Sequence, residues 1–341
     1  MEINEMRRIA RERFHGVCRV CPACNGRACA GEMPGMGSVG TGVSFMANFD
    51  SLARIKVNLR TIHEASDPDI AGDFFGHPIK MPILIAPLAG MAGNMGNAMD
   101  EREYYTHLVS GAKEVGSIAF TCDGYDPMFF NVGLEVLAKY QGWGVPTIKP
   151  RQQELLLALI RRAEDCGVVA IASDIDAAGL VHMKRHGQPA GPWPFRVWEK
   201  TISQTQLPII LKGVMTVEEA RLAVLMGAAG IVVSNHGGRV LDHTPGTAEV
   251  LPEIAQAVKG KIKIIVDGGV RSGIDALKML ALGADAVLVG RPMAVIAVGG
   301  GQEGVRLLLN QYADQLRQGM IYTGCSSLAE ITPSILRMPS E

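Results

Sequence analysis

The residues best suited to chemistry stand in the stretch 231–242. Three β-branched residues lead there into a polar, glycine-flanked loop that carries His236 and, three positions later, Arg239. A strand that is apolar on both faces and opens into such a loop is typical of a buried parallel strand presenting reactive groups at its carboxyl end. Proteins of the α/β class hold their catalytic residues there. Spacing alone also fits a plain β–α turn in which His236 caps a helix.

Further polar residues stand where other apolar runs end. They are Asp174, Lys212, Asp267, Arg271 and Arg291, together with Gly268, Gly269 and Gly290. The glycines let backbone amides approach a ligand and the two arginines add cations beside them, which is the composition of a phosphate site. Plain structural alternatives exist, such as Asp267 capping a helix or Lys212 pairing with a core carboxylate. Because these polar residues all stand at the ends of successive apolar runs, we favour the interpretation that they form one shared site.

Apolar, β-rich runs recur regularly from residue 80 onward, and stretches of helical periodicity such as 152–166, 217–226 and 274–282 separate most of them. The runs cover residues 81–86, 117–121, 145–148, 168–173, 208–211, 231–234, 262–266 and 286–289. Eight strands alternating with helices predict an α/β fold, a closed (β/α)8 TIM barrel rather than an open doubly wound sheet. No G-x-G-x-x-G follows the first run, which counts against a dinucleotide fold.

The predicted barrel domain covers residues 80–341 and ends with a helix over 303–318 and a short tail. Residues 1–79 are expected to form an N-terminal extension with a short amphipathic helix over 3–14, a cysteine-rich loop and a lead-in to the barrel.

Composition narrows the class of partner. The net charge of the 341-residue chain is −1 with both signs interspersed, so no basic stripe predicts nucleic-acid binding. The apolar runs stop well short of about 18 residues and no signal peptide opens the sequence, so we expect neither membrane spanning nor secretion. The expected setting is the cytoplasm, with a small molecule as partner.

Four of the seven cysteines crowd into the pattern Cys18-x2-Cys21-x2-Cys24-x4-Cys29. In a cytoplasmic protein such spacing indicates metal or redox chemistry before disulfides, and close thiolates can hold zinc or an iron-sulfur cluster. A loop of reduced thiols fits the pattern equally well. The glycine-rich run 35–42 lacks the ending of a phosphate loop and predicts backbone turns.

Taken together, the segments 211–213, 234–242, 267–273, 290–292 and 323–325 resemble the FMN-dependent α-hydroxy acid oxidase and dehydrogenase family, which includes glycolate oxidase and lactate oxidase. The resemblance is strong from about residue 205 onward and weaker through 82–87 and 48–50. It implies FMN as cofactor and oxidation of a 2-hydroxy acid, such as lactate or glycolate, to the 2-oxo acid, with hydride transfer to flavin N5. It also implies a homotetramer.

The resemblance assigns roles to single residues. His236 takes the proton of the substrate hydroxyl, Asp174 pairs with that histidine, Arg239 holds the substrate carboxylate, and Lys212 sits by N1 and O2 of the flavin. These roles agree with the chemistry, because oxidation of a C–OH group removes a proton and a hydride. The implied cofactor-binding residues are Ala86, Pro87, Thr121, Lys212, Ser234, Asp267, Gly268, Gly269, Arg271, Gly290 and Arg291.

Some of the family's substrate contacts are replaced. Its strand-three tyrosine falls on Pro146, a glutamine near the flavin on Gly144, and its N-terminal tyrosine near Glu32 in the cysteine-rich insertion. The sequence therefore indicates a kept flavin site and a rebuilt substrate pocket, and it leaves the hydroxy acid and the electron acceptor open. By the same alignment, the cysteine segment should lie at the carboxyl rim of the barrel and shape the substrate pocket.

A second substrate arginine of the family falls near Val181, with Lys184 and Arg185 close by as substitutes. Tyr125 is the candidate for the missing tyrosine hydroxyl. Two other functions remain open: a different FMN-barrel reaction, such as a reductase or one resembling type 2 isopentenyl diphosphate isomerase, and a flavin electron-transfer protein whose cysteine segment contacts a partner. The pair His236 and Arg239 favours hydroxy acid oxidation over the isomerase.

Overall fold

The computed structural model describes residues 1–339, without the side chains of residues 181 and 182. Eight parallel strands form one sheet in which each strand from the second onward pairs with the next along the chain, and the last pairs with the first. A bridge between Ile85 and Ala119 joins the first two strands. The predicted (β/α)8 barrel is confirmed. The strands are β1 Ile83–Ile85, β2 Phe120–Cys122, β3 Val145–Ile148, β4 Ile171–Asp174, β5 Ile209–Val214, β6 Gly230–Val233, β7 Lys263–Val266 and β8 Ala286–Val289.

Neighbouring residues of a strand pack into different layers, because side chains alternate between the two faces of a sheet. Val232 of β6 packs inside the barrel with Ile210 of β5, whereas Ile231 and Val233 belong to the larger core under the helices. Both faces are therefore apolar, which explains the unbroken β-branched runs in the sequence.

Helices cover the outside of the barrel. None of those in residues 1–339 is long and apolar enough to span a bilayer. The longest, Arg291–Ile321, extends the predicted helix 303–318 toward its amino end and is kinked at Gly301, whose φ is 59°. The others are Ile3–Arg13, Val43–Arg54, Met91–Asn94, Glu101–Glu114, Pro127–Lys139, Gln153–Asp165, Val181–Arg185, Phe195–Ile202, Val217–Leu225, Thr247–Val258 and Gly273–Ala281.

A hairpin of Gly72–Phe74 and His77–Ile79 lies at the amino end of the barrel. Its Phe74 belongs to the inner core cluster, and a Cβ on Gly230, the first residue of β6, would lie 3.0 Å from Phe75 Cζ. This end of the barrel is thus filled with apolar side chains. The opposite, carboxyl end is the one left for chemistry.

Residues before the barrel pack closely against it. The predicted N-terminal helix is confirmed as Ile3–Arg13, and it lies on Arg291–Ile321 so tightly that a Cβ on Gly299 would sit 1.9 Å from Met6 O. Farther along, Lys56–Val57 pairs with Leu336–Arg337 near the end of the described chain. The division at residues 79 and 80 stays a prediction.

Candidate active site at the carboxyl rim

Polar side chains from six consecutive strands meet at the carboxyl rim of the barrel. The rim residues are Asp123 after β2, Lys149 and Arg151 after β3, Asp174 and Asp176 at the end of β4, Lys212 in β5, His236 and Arg239 after β6, and Asp267 after β7. The carboxyl ends of parallel strands all lie at one edge of the sheet. The structure therefore has these side chains at one common rim, as expected from the sequence.

The backbone holds His236 in an unusual conformation. Its φ is 57°, in the left-handed region that few residues other than glycine occupy, and its amide donates to Ser234 Oγ at 3.0 Å. The neighbouring Asn235 accepts from Asn48 Nδ2 at 2.7 Å, which ties the loop to helix Val43–Arg54. Strain of this kind persists where surrounding contacts impose it, and it is frequent at active sites.

His236 pairs with Asp176, and this corrects the expected pairing with Asp174. The Nδ1 atom of His236 lies 3.0 Å from Asp176 Oδ1. Among the described residues, the Nε2 atom has no partner, so it is available to a substrate. Asp176 stands in the turn Ile175–Ala177 just beyond β4, and a Cβ on Gly213 would lie 2.4 Å from the Cβ of Asp176. Only glycine at 213 leaves room for that carboxylate.

Asp174 pairs with two neighbouring lysines instead of with His236. Its Oδ1 lies 3.0 Å from Lys212 Nζ and its Oδ2 lies 3.7 Å from Lys149 Nζ, all in the interior. Burial opposes ionisation of Asp174, but the charges of Lys212, His236 and Lys149 hold its pKa well below the ordinary value. Burial likewise opposes the charge of Lys212, and Asp174 and Asp176 overcome it, so its pKa is raised. Asp174 and Lys212 therefore form a charged pair.

A second buried group of charges joins β2 to β3. Lys149 Nζ lies 3.1 Å from Asp123 Oδ1, and Arg151 Nη2 lies 2.7 Å from Asp123 Oδ2. Sequence reasoning missed all three residues, as well as Asp176. The rule that found Asp174 and Lys212, polar residues just after apolar runs, also selects Asp123 and Lys149 when it is applied to the second and third runs.

Three partly buried arginines lie at the rim without an ion-pair partner among the described residues: Arg239, Arg271 and Arg291. Burial lowers the pKa of Arg239 to about 10. Burial, together with the charges of Arg239 and Arg271, lowers the pKa of Arg291 to about 9. Like charges held this close, away from bulk water, favour the binding of an anion.

Carbonyl groups hold these guanidinium groups in place. Arg239 donates to Gly35 O at 2.6 Å and to Gly37 O at 3.0 Å. Arg291 donates to Met36 O at 2.8 Å and lies 3.8 Å from the ring centroid of Phe45. The glycine-rich run therefore forms turns, as predicted, and these turns cover the rim beside the arginines.

Other predicted cofactor residues lie at the same rim. Ala86 and Thr121 are buried, Pro87 is partly buried, and the Ala86 amide donates to Val289 O at 3.0 Å. Gly290 is the N-terminal cap of Arg291–Ile321. Gly268 and Gly269 have a packing role: a Cβ on Gly269 would lie 2.2 Å from Asn48 O. Their predicted contact with phosphate stays a prediction.

Three predicted substrate residues stand in the loops after β2 and β4. Lys184 and Arg185 are exposed on the short helix Val181–Arg185. Tyr125 is partly buried and its ring lies 4.2 Å from that of His186. Their roles in substrate binding stay predictions.

The cysteine segment lies at the carboxyl rim, beside the residues that follow β7 and β8. Cys18, Cys21, Cys24 and Cys29 line a cavity of about 520 Å³ together with Arg271 and Arg291. Neither His236 nor Arg239 lines it. The Arg271 guanidinium binds this segment at Cys24 O on the β7–β8 side. The expectation that the cysteines shape the substrate pocket stays a prediction.

Known proteins share this architecture. The family described as FMN-dependent dehydrogenase matches residues 36–196 and 182–338. The chain is 34% identical to 4-hydroxymandelate oxidase of Amycolatopsis orientalis over 86% of this chain and 89% of that protein. It is 33% identical to glycolate oxidase 3 of Arabidopsis thaliana over 84% and 85%. The crystal structure of mandelate oxidase with benzoyl-formic acid matches with a TM-score of 0.79 at 32% identity, over 98% of this chain and 97% of that one.

The barrel and its rim thus define a (β/α)8 oxidoreductase. This chain belongs to the FMN-dependent dehydrogenase family.

The rim fits the cofactor of that family. Two buried polar atoms, Thr147 Oγ1 and Asp267 Oδ1, have no hydrogen-bond partner among the described residues. Buried polar atoms are nearly always paired, so these two point to a polar ligand. The three arginines without carboxylate partners add the charge that a phosphate requires.

Proposed function

We propose that this protein oxidises a small 2-hydroxy acid to the 2-oxo acid with FMN as the electron acceptor at the rim. The observation that carries the proposal is the pair His236–Asp176, which leaves Nε2 of His236 open beside a loop that also carries Arg239. A base and a carboxylate-binding cation on one loop match the two ends of a 2-hydroxy acid.

The proposed chemistry divides between the chain and the cofactor. His236 Nε2 accepts the proton of the substrate hydroxyl, and Asp176 stabilises the imidazolium that forms. Arg239 holds the carboxylate. FMN, when bound, would supply the acceptor for the hydride of the substrate carbon. Arg271 and Arg291 would hold its phosphate, and Lys212 would offset negative charge on the reduced ring.

The substrate side chain is proposed to be small or polar. Lys149 and Asp123 form a buried ion pair that continues through Asp174 to Lys212, so the β2–β3 side of the pocket is charged. An aromatic ring placed there would displace charged groups from their partners, which is costly. We therefore place lactate and glycolate ahead of mandelate.

The setting of the reaction is part of the same proposal. Seven free cysteines support a reducing compartment, for which we propose the cytoplasm. A homotetramer is proposed because the sequence resembles a family for which that assembly is expected. The electron acceptor is oxygen, a quinone or a protein.

Anaerobic flavin reduction tests the proposal. Purified FMN-bound protein is mixed with L-lactate, glycolate and mandelate, and the loss of flavin absorbance is followed over time. We expect reduction by the two aliphatic acids to be faster than by mandelate. A flavin that none of a broad panel of hydroxy acids reduces would overturn the proposed reaction, and preference for mandelate would overturn the proposed substrate.

A further inference from the structure

The cysteine cavity contains four thiols that the proposed oxidation does not use. Cys18, Cys21, Cys24 and Cys29 are free and partly buried, and all four line the same cavity of about 520 Å³. The cavity lies between the N-terminal segment and the carboxyl ends of β7 and β8. A space of this size, walled by four thiols, can take a group much larger than a single ion.

Arginines hold the cysteine loop by its backbone. Arg7 donates to Cys21 O at 2.7 Å, Arg11 to Val20 O at 3.0 Å, and Arg271 to Cys24 O at 2.9 Å. These donors come from the N-terminal helix and from the loop after β7. The carbonyl groups of the loop are thus fixed from outside while its four thiol side chains line the cavity, as in sites whose ligands are oriented by surrounding contacts.

The distances between cysteine sulfurs differ between two kinds of metal centre, a zinc site and an iron-sulfur cluster. In tetrahedral zinc sites the Zn–S bonds are about 2.3 Å, which places the sulfurs about 3.8 Å apart. Among the described residues, no three cysteine sulfurs lie within 4.8 Å of one another. An iron-sulfur cluster binds each thiolate at a different iron atom and therefore holds the sulfurs farther apart than one ion does. The described cysteines therefore do not form a tetrahedral zinc site as they stand, whereas four thiols around one cavity suit the wider spacing of a cluster.

The charge of the cavity suits an anionic group. Five cationic residues line it, against a single acidic residue, Asp275; they are Arg7, Arg19, Arg271, Lys278 and Arg291. Arg271 Nη2 lies 3.7 Å from Cys24 Sγ, at the distance of an N–H···S hydrogen bond. Hydrogen bonds to the sulfurs and nearby cations are the usual protein contributions to a thiolate-bound cluster.

We propose that Cys18, Cys21, Cys24 and Cys29 bind a [4Fe–4S] cluster in this cavity. The cluster is a second centre, separate from the flavin chemistry at His236. Because Gly269 and Arg291 also line the cavity, it lies on the side of the barrel where the phosphate of FMN is proposed to bind.

Metal analysis of the full chain tests this proposal. The protein is purified without oxygen, reconstituted with ferrous iron and sulfide, and assayed for iron, acid-labile sulfide, zinc and FMN. We expect about four iron and four sulfide per chain, the composition of the cluster, and an electron paramagnetic resonance signal after reduction with dithionite. One zinc per chain without iron, or no metal, would overturn the proposal.

Variants assign the ligands. Cys21→Ser and Cys24→Ser should each lose most of the iron and sulfide, whereas Cys166→Ser should keep both. Cys166 is the matched control because it is also free and partly buried but ends helix Gln153–Asp165, away from the cavity. Thermal melting reports folding independently of metal content, and FMN content shows whether the neighbouring phosphate site is kept. Full iron content in both Cys21→Ser and Cys24→Ser would contradict the assignment, and a variant that fails to melt cooperatively is replaced by Cys29→Ser.

Discussion

His236 and Asp176 reach each other from two different strand ends, and their side chains meet with 3.0 Å between Nδ1 and Oδ1. This contact fixes the orientation of the imidazole ring and leaves one nitrogen for the substrate. The two residues act as a unit, so changes at either one should affect proton transfer more than cofactor binding.

Replacing His236 should separate catalysis from cofactor binding. We expect His236→Asn to keep FMN and to slow flavin reduction by about a hundredfold or more, the usual scale for a general base. Asparagine is chosen because it tolerates the left-handed backbone at this position. His243→Asn is the control, since His243 has a φ of 59° and is exposed in the same loop. Stopped-flow reduction measures both, and equal rates in the two variants would assign the base elsewhere.

Substitution of Asp174, the last residue of β4, and of Asp176, in the turn after it, should affect stability and catalysis differently. Asp176→Asn should slow flavin reduction about tenfold to a hundredfold, because it weakens the support of the imidazolium. It should cost less stability than Asp174→Asn, because Asp176 lies 3.8 Å from Lys212 Nζ and Asp174 lies 3.0 Å from it. Asp174→Asn leaves the buried Lys212 and Lys149 short of a partner and should cost about 3–5 kcal/mol of unfolding free energy. Denaturant titration and reduction kinetics are measured on both variants. A stable Asp174→Asn with impaired proton transfer would reverse the two assignments.

Asp174 should also make the stability of the protein depend on pH in the acid range. Since the folded-state pKa of Asp174 is held below its ordinary value of about 3.9, its pairing stabilises the protein above about pH 4. That contribution is lost progressively as the pH falls below this value. Thermal melts between pH 3 and 6 should show a smaller acid loss in Asp174→Asn than in the wild type.

Arg239→Lys should weaken binding of the substrate carboxylate. Lysine keeps the charge but cannot reproduce the planar two-point contact of a guanidinium with a carboxylate. We expect the apparent affinity for the hydroxy acid to fall about tenfold. The uncharged methyl ester is the control substrate and should bind the wild type and the variant equally. Wild-type protein that binds acid and ester alike would show that no carboxylate is recognised at Arg239.

The lowered pKa of Arg291 predicts a pH-dependent response to phosphate. In apoprotein the buried cation is unfavourable below about pH 9, and deprotonation relieves this as the pH rises through that value. Inorganic phosphate, which pairs with the cation, should therefore raise the apoprotein Tm by about 2 °C or more near pH 7 and less above pH 9. Arg291→Ala should lose the effect and bind FMN about tenfold or more weakly. Arg54→Ala, at an exposed ion pair with Glu249, is the control. A phosphate response that persists in Arg291→Ala would place the anion elsewhere.

The fold could be predicted because both faces of each barrel strand are apolar. Residues such as Ile231, Val232 and Val233 repeat this property at regular intervals, and a local pattern suffices to detect it. The partner of His236 could not be predicted in this way. Asp176 stands two residues beyond the end of a strand, and its position depends on the missing side chain of Gly213, which is distant in the sequence.

The side of the rim at which the cysteines lie could not be predicted from a local sequence pattern, for the same reason. Their spacing is visible in the sequence, but their place beside β7 and β8 depends on Arg7 and Arg271, which bind the loop across the fold. Asp123 and Lys149, by contrast, follow apolar runs and were within reach of the same reasoning that selected Lys212.

Because Met6 and Gly299 are in close contact, the position of the cysteine loop depends on a residue that is distant from it in the sequence. Any side chain at 299 would collide with the backbone of the N-terminal helix, and that helix carries Arg7 and Arg11, which hold the loop. We therefore expect a side chain at 299 to displace the N-terminal helix from the barrel and to open the cavity on that side.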